Sequence, residues 1–343
     1  LGLVVDVVVS KKIPLSVLDQ SPICAGRGVT DALNETFALA QLSEQLGYSR
    51  FWVSEHHASN GLVGVSPEVL LARIGAETNS IRIGSAGVML PHYSPYKVAE
   101  NFKLLGAMYP GRIDCGVGRA PGGHQNVAAA LRYGSPLGPE YFPTKVADLD
   151  ALLRDVAPPT PGLERVRAMP TIATAPELWM LGSSEDSAHL AARMGLPYSV
   201  AYFINPTASD DILRIYRREF RPSANAEKPY ASLGVFVLCA ETEAEARRIE
   251  RSRGLWLLGV YTGVDQPIPT VETAASYPYT EQDQSLLGKF IRAAAIGTPT
   301  QVKEQLQVMV ERFDADELVV ATVAHDFAAR CRSYELLADV WGL

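Results

Sequence analysis

In the stretch WVSEHHAS, Glu55, His56 and His57 stand side by side at the end of an apolar run. Imidazole titrates near neutrality, at about 6.5 when unperturbed, so a histidine facing a reacting group is suited to moving protons. Three roles are open to this pair: metal ligand, structural histidine, or catalytic or cofactor-facing histidine. A metal site calls for H-E-x-x-H on a helix or three convergent ligands, and this spacing offers neither. Adjacent side chains on a strand point in opposite directions, so at most one of the two histidines faces a given side.

A second stretch, RIDCGVGRAPGG, begins like a nucleotide-binding loop. Gly116 and Gly118 fill the first two places of G-x-G-x-x-G, but Pro121 stands at the third, and APGGHQN has no helical pattern. The dinucleotide fingerprint therefore fails. Arg119, between glycine-rich turns, suits an anion brought close to the backbone, or else a surface salt bridge. In a third stretch, MLGSSEDSAHLA, Gly182, Ser183 and Ser184 lead into a helix. Its free amides and hydroxyls could seat a phosphate, or the serines could simply cap it. Taken with Arg119, they describe a phosphomonoester site and a mononucleotide such as FMN.

The elements that must position these residues alternate along the chain. Eight apolar runs read as strands: IPLSVLD, RFWVSEHH, IRIGSAGVML, RIDCGVG, ELWMLG, PYSVAYF, ASLGVFVLCA and ELVVATV. Helical patterns follow them. Thr30 or Asp31 is the expected N-cap of the first helix, and Ser66–Pro67 and Ser94–Pro95 open the next two. Alternation of this kind predicts a parallel sheet, and eight repeats favour a closed (β/α)8 TIM barrel with loop insertions near 120–143, 157–171 and 261–284. No linker divides the chain, so 13–343 reads as a single barrel domain. In such a barrel the site lies at the C-terminal ends of the strands, where all three stretches fall. Tyr93, Tyr202 and Phe203 are expected at the same mouth.

The 343 residues carry a net charge of −7 with no basic block, which argues against nucleic acid or an anionic membrane as partner. The four cysteines form no C-x-x-C and read as reduced thiols of a cytoplasmic protein. The apolar leader, residues 1–12, has neither the basic start nor the cleavage site of a signal peptide and is too short to span a bilayer. It is treated as an N-terminal extension with no assigned role.

From about Ile13 to the C terminus the chain resembles the luciferase-like flavin monooxygenases, the bacterial luciferase superfamily. The segments that carry the likeness are GYSRFWVSEHH, IRIGSAGVMLPHYSPYKVAENFKLLGAMYPGRIDCGVGRA, LGSSEDSAHLAARMGLP and IGTPTQVKEQL. The resemblance implies that His56 takes the place of the catalytic histidine and Arg119 that of the arginine on the flavin phosphate. Ser184 and Ser187 fall at hydroxyl positions on the same phosphate, with Ser183 beside them where the family has a glutamate. Ala86–Gly87 falls at a non-proline cis peptide beneath the isoalloxazine ring. Gly118 stands where luciferase has a cysteine.

The implied activity is an FMNH2- and O2-dependent monooxygenation. The reduced flavin comes from a separate flavin reductase and acts through a C4a-hydroperoxide on a small organic, natural-product-like substrate. A lid from 261–284 is expected to keep the site dry. The rival activities are a deazaflavin (F420)-dependent oxidoreductase on the same barrel and a non-catalytic flavin-binding protein. The resemblance also implies a homodimer through the helices that follow strands two and three.

Overall fold

The barrel strands are short and apolar, and their side chains are buried almost throughout. In the computed structural model, which describes residues 13–120, 122–135 and 137–343, β1 (Leu15–Asp19) leads through α1 (Val29–Gln45) to β2 (Arg50–Val53) and α2 (Pro67–Glu77). The third strand is interrupted: β3 (Arg82–Ser85) and β4 (Val88–Met89) flank a cis Ala86–Gly87 peptide. Next come α3 (Pro95–Met108), β5 (Ile113–Gly118), α4 (Gln125–Arg132), α5 (Phe142–Leu153), β6 (Glu177–Gly182), α6 (Glu185–Met194), β7 (Tyr198–Ala201) and α7 (Asp211–Glu219). The last third contains β8 (Ala231–Cys239), α8 (Glu243–Thr262), α9 (Val271–Ser276), α10 (Glu281–Arg292), β9 (Ala295–Gly297), α11 (Pro299–Phe313), β10 (Glu317–Ala321) and α12 (Phe327–Trp341). The leader at 1–12 lies outside the described residues.

The ring runs β10, β1, β2, β3, β5, β6, β7, β8, all parallel, and closes because β10 also pairs with β8. Leu15 of β1 sits opposite Leu318, and Gly234 of β8 opposite Val319. β4 continues the third strand by pairing with β5, and β9 pairs with the far end of β8. The fold is therefore the (β/α)8 barrel that the alternation predicts. Among the described residues, no helix is long and apolar enough to cross a membrane.

Several local expectations are corrected. IRIGSAGVML is two strands. The stretch at 120–143 contains α4, hidden behind a glycine-rich start, and 261–284 contains α9 and the beginning of α10. Gly28, not Thr30 or Asp31, caps α1, and Asp31 accepts the Gly28 N–H at 2.9 Å from inside the first turn. An acidic side chain at this position is a normal partner for an unsatisfied helix amide.

Strand spacing is set tightly beside the interruption. A Cβ on Gly116 would lie 2.1 Å from the Ser85 carbonyl oxygen, so only glycine allows β5 this close to β3. Ser85 Oγ fixes the pair by donating to the Gly116 carbonyl at 2.8 Å and accepting the Gly116 N–H at 3.1 Å.

The lower end of the barrel is plugged by charge. Arg50, the first residue of β2, meets Asp114 at 2.8 Å, Glu177 at 3.2 Å and Glu317 at 3.3 Å. Trp52 Nε1 donates to the same Asp114 at 2.9 Å, Tyr230 donates to Glu317 at 2.8 Å, and the Arg50 guanidinium lies over the Trp179 ring. Asp114 and Glu317 are buried; without Arg50, Asp114 keeps Arg82, but Glu317 is left with hydroxyl donors from Tyr230 and Ser16 and loses its guanidinium. Arg50→Met is expected to lower unfolding stability by about 3–5 kcal/mol, as breaking one partner of a buried pair does. Urea unfolding monitored by circular dichroism checks this, and a loss below about 1 kcal/mol would mean that the cluster contributes little.

Candidate active site

The upper strand ends surround a cavity of about 510 Å³. His56, Ala86, Gly87, Arg119, Ser183, Ser184 and Ser187 all line it, although they come from four different strand ends. Its floor is apolar, built by Leu18, Trp52, Leu181 and Val319 from inside the barrel. The volume is in the range of pockets that bury a mid-sized organic ligand.

One end of the cavity is suited to an anion. Arg119 follows β5 directly and its side chain is 54% exposed, with Asp186 at 3.8 Å as its ionic neighbour. That distance is too long for a committed hydrogen-bonded pair, and Asp186 is itself 79% exposed. Arg119 faces the start of α6, where Ser184 and Ser187 form a capping box. Ser184 is the N-cap residue. Ser187 Oγ donates to the Ser184 carbonyl at 2.6 Å and meets the Tyr198 hydroxyl at 2.8 Å. Asn205 Nδ2 holds the Ser183 carbonyl at 2.9 Å. The turn is thus braced from two sides. A guanidinium beside a helix N-terminus with its serine hydroxyls matches a phosphate in charge.

The other end carries the histidines. β2 ends at Val53, so residues 54–57 have left the strand and strict alternation no longer governs them. His56 is held by its N–H to the Gly64 carbonyl, and its Nδ1 lies 3.1 Å from Ser54 Oγ. Burial, with the neighbouring His57 adding to it, pushes its pKa down to about 4. His56 is therefore neutral at pH 7, not poised near the unperturbed 6.5.

His57 belongs to a group that the sequence alone did not reveal. Glu55 is 2% exposed, and its Oε1 lies 2.6 Å from His57 Nε2 and accepts the Tyr93 hydroxyl at 2.6 Å. Its Oε2 accepts the Met89 N–H at 3.0 Å. Lys145 in turn donates to the carbonyls of Pro91 and Tyr93 at 2.9 and 3.0 Å, which fixes the loop bearing Tyr93. Of the three aromatics expected at the mouth, only Phe203 lines the cavity; Tyr93 is committed to Glu55, and Tyr202 packs on Phe313 because β7 stops at Ala201. Among the described residues, no cluster of three or more His, Cys, Asp or Glu could hold a metal ion.

A second cavity of about 550 Å³ adjoins the first and shares Gln20, His56, Gly122, Phe203 and Ile204 with it. Its outer wall is α8 and the segment after it, with Trp256, Leu257 and Tyr261, and α10 adds Phe290. Of the stretch expected as a lid, its beginning, Tyr261 to Asp265, lines this chamber. A phosphorylated planar ring fits the first cavity: the anion end would take the phosphate, and the apolar floor and the Ala86–Gly87 backbone would face the ring. A Cβ on Gly118 would meet nothing within 4 Å, so the space beside that backbone is open.

The family model described as luciferase-like monooxygenase matches residues 14–316. The N-acetyl-S-alkylcysteine monooxygenase of Bacillus subtilis is 38% identical over 335 residues, covering 95% of this chain and 98% of that protein. The crystal structure of apo-MsnO8 superposes with a TM-score of 0.88 at 39% identity, covering 96% of this chain and 98% of that one. The oxygenating component of 3,6-diketocamphane monooxygenase from Pseudomonas putida, in complex with FMN, shares the fold with a TM-score of 0.70 at 17% identity over 95% and 96% of the two chains.

The depressed histidine has a consequence for stability. Below its unfolded pKa of 6.5 and above its folded pKa of about 4, His56 binds more protons in the unfolded chain. Stability therefore falls as pH drops through that window, by roughly 2 kcal/mol at pH 5 from this group. His56→Gln removes the penalty, so the variant is expected to lose about that much less stability than the wild type between pH 7 and pH 5. Equal losses in urea titrations at the two pH values would show that His56 titrates normally.

Proposed function

The chain belongs to the luciferase-like monooxygenase family, and we propose that it is an FMNH2- and O2-dependent monooxygenase acting on a small organic substrate. One observation carries this proposal: a single cavity joins an anion end at Arg119 and the start of α6 to an apolar floor and a neutral histidine. The reduced flavin, when bound, supplies activation of O2 and transfer of one oxygen atom to the substrate.

The residues have separable tasks. Arg119 and the α6 amides hold the phosphate, with Ser183, Ser184 and Ser187 shaping the turn. The Ala86–Gly87 backbone supports one face of the ring. Leu18, Trp52, Leu181 and Val319 keep water away from the reacting end. His56, with Nδ1 on Ser54 Oγ, presents Nε2 as a neutral proton acceptor and donor. A flavin reductase is the proposed source of FMNH2. A homodimer is proposed through α2 and α3, where Val69, Leu104 and Met108 are exposed. A monomer by light scattering at micromolar concentration would reject that assembly.

Flavin binding and catalysis can be tested separately. Arg119→Ala is expected to weaken FMN binding by on the order of tenfold to a hundredfold, a charge-assisted contact's share, with little effect on riboflavin. Equal losses for both ligands would make Arg119 a structural residue. His56→Ala is expected to bind FMN normally while product per flavin oxidised falls by roughly 10²–10⁴, the share of a positioned acid or base. Parallel titrations with FMN and with deazaflavin decide the cofactor, and tighter binding of the deazaflavin would replace this proposal with hydride transfer.

A further inference from the structure

The second cavity contains a charge that its walls do not explain. Most of its lining is apolar or aromatic, and among the described residues lining it Arg253 is the one arginine or lysine. Arg253 sits in the middle of α8 and is 5% exposed. Its guanidinium stacks on the Phe236 ring at 3.7 Å from the centroid. Among the described residues, its hydrogen bonding is limited to Glu250 Oε1 at 3.5 Å. Strong guanidinium–carboxylate bonds are found near 2.7–2.9 Å, so this contact leaves most of the five donors unused.

The local balance of charge also favours an added anion. Glu250 is a shared partner, with Arg247 and Arg251 acting on it as well as Arg253. The acid that does line the chamber, Asp265, is occupied: it accepts the Asn60 N–H at 2.8 Å and the Ser59 hydroxyl at 3.2 Å. Burial pushes Arg253 down to about 10, the sign of a cation taken out of water without full compensation. It remains charged at neutral pH. A buried, charged guanidinium in an apolar chamber is the arrangement that recognises a planar carboxylate.

We propose that the second cavity is a substrate chamber for a carboxylate with an apolar body. The carboxylate pairs with Arg253, the apolar part packs on Phe236 and Trp256, and the far end reaches the shared wall at His56. This rests on the monooxygenase function proposed above but is tested without turnover.

The probes are 4-phenylbutanoate and its uncharged amide, titrated into flavin-free protein by calorimetry or ligand-observed NMR, and again with saturating FMN. The wild type is expected to bind the carboxylate at least about tenfold tighter, a share of one charge-assisted contact. Arg253→Met should abolish that preference, and Arg253→Lys should keep part of it. FMN affinity should be unchanged in both variants. Equal binding of the two probes by the wild type, or a preference that survives Arg253→Met, overturns the proposal. If Arg253→Met does not fold, Val260→Trp at the exposed rim of the same chamber decides: weaker binding of both probes supports the site, and unchanged binding overturns it. Loss of FMN binding or turnover alongside an intact carboxylate preference counts against the flavin assignment alone.

Discussion

β10 accepts β1 on one side and β8 on the other, and this double pairing turns a ribbon of strands into a ring. Closure makes every strand C terminus open on the same mouth. Arg119 and Ser187 are far apart in sequence and still line one cavity. It also gives the interior two ends with different contents. The lower end is filled by Arg50, its carboxylates and two tryptophans, and the upper end remains hollow. Filling the bottom with charge and aromatic rings gives the apolar floor of the cavity a rigid support.

At the mouth, position depends on a few buried polar groups. Glu55 links the loop after β2 to the loop after β4, because one carboxylate serves the Met89 amide, the Tyr93 hydroxyl and His57. Lys145 ties the second loop to α5 through backbone carbonyls. His56 is thereby flanked by fixed structure, and its neutrality follows from that enclosure. A proton carrier kept neutral in an apolar site can accept a proton without first shedding one.

Much of this was legible in the sequence, for reasons that can be named. Strand–helix alternation predicts the barrel, and the barrel rule alone brings the E-H-H stretch, Arg119 and the Gly-Ser-Ser turn to one mouth. What stayed hidden depended on distant partners. Glu55 looks like an ordinary strand-end acid until Tyr93, 38 residues on, is seen to bond it. Arg253 lies in a helix with no motif around it, and its isolation is visible only once Phe236 and Trp256 are in place. The α4 helix was masked by the glycines before it, and Tyr202 was misplaced because β7 ends at Ala201, two residues before the apolar run does.

The Arg50 cluster also constrains how this chain can change over generations. Arg50, Arg82, Asp114, Glu177 and Glu317 share overlapping ion pairs, so the effect of altering one depends on the state of the others. A reversal of Arg50 sets like charge against the buried Asp114 and Glu317, whereas a coordinated replacement by well-packed apolar residues could be neutral. Drift at these five positions should therefore proceed in concerted jumps: lineages keep the whole set or exchange it together, and half-changed intermediates are rare.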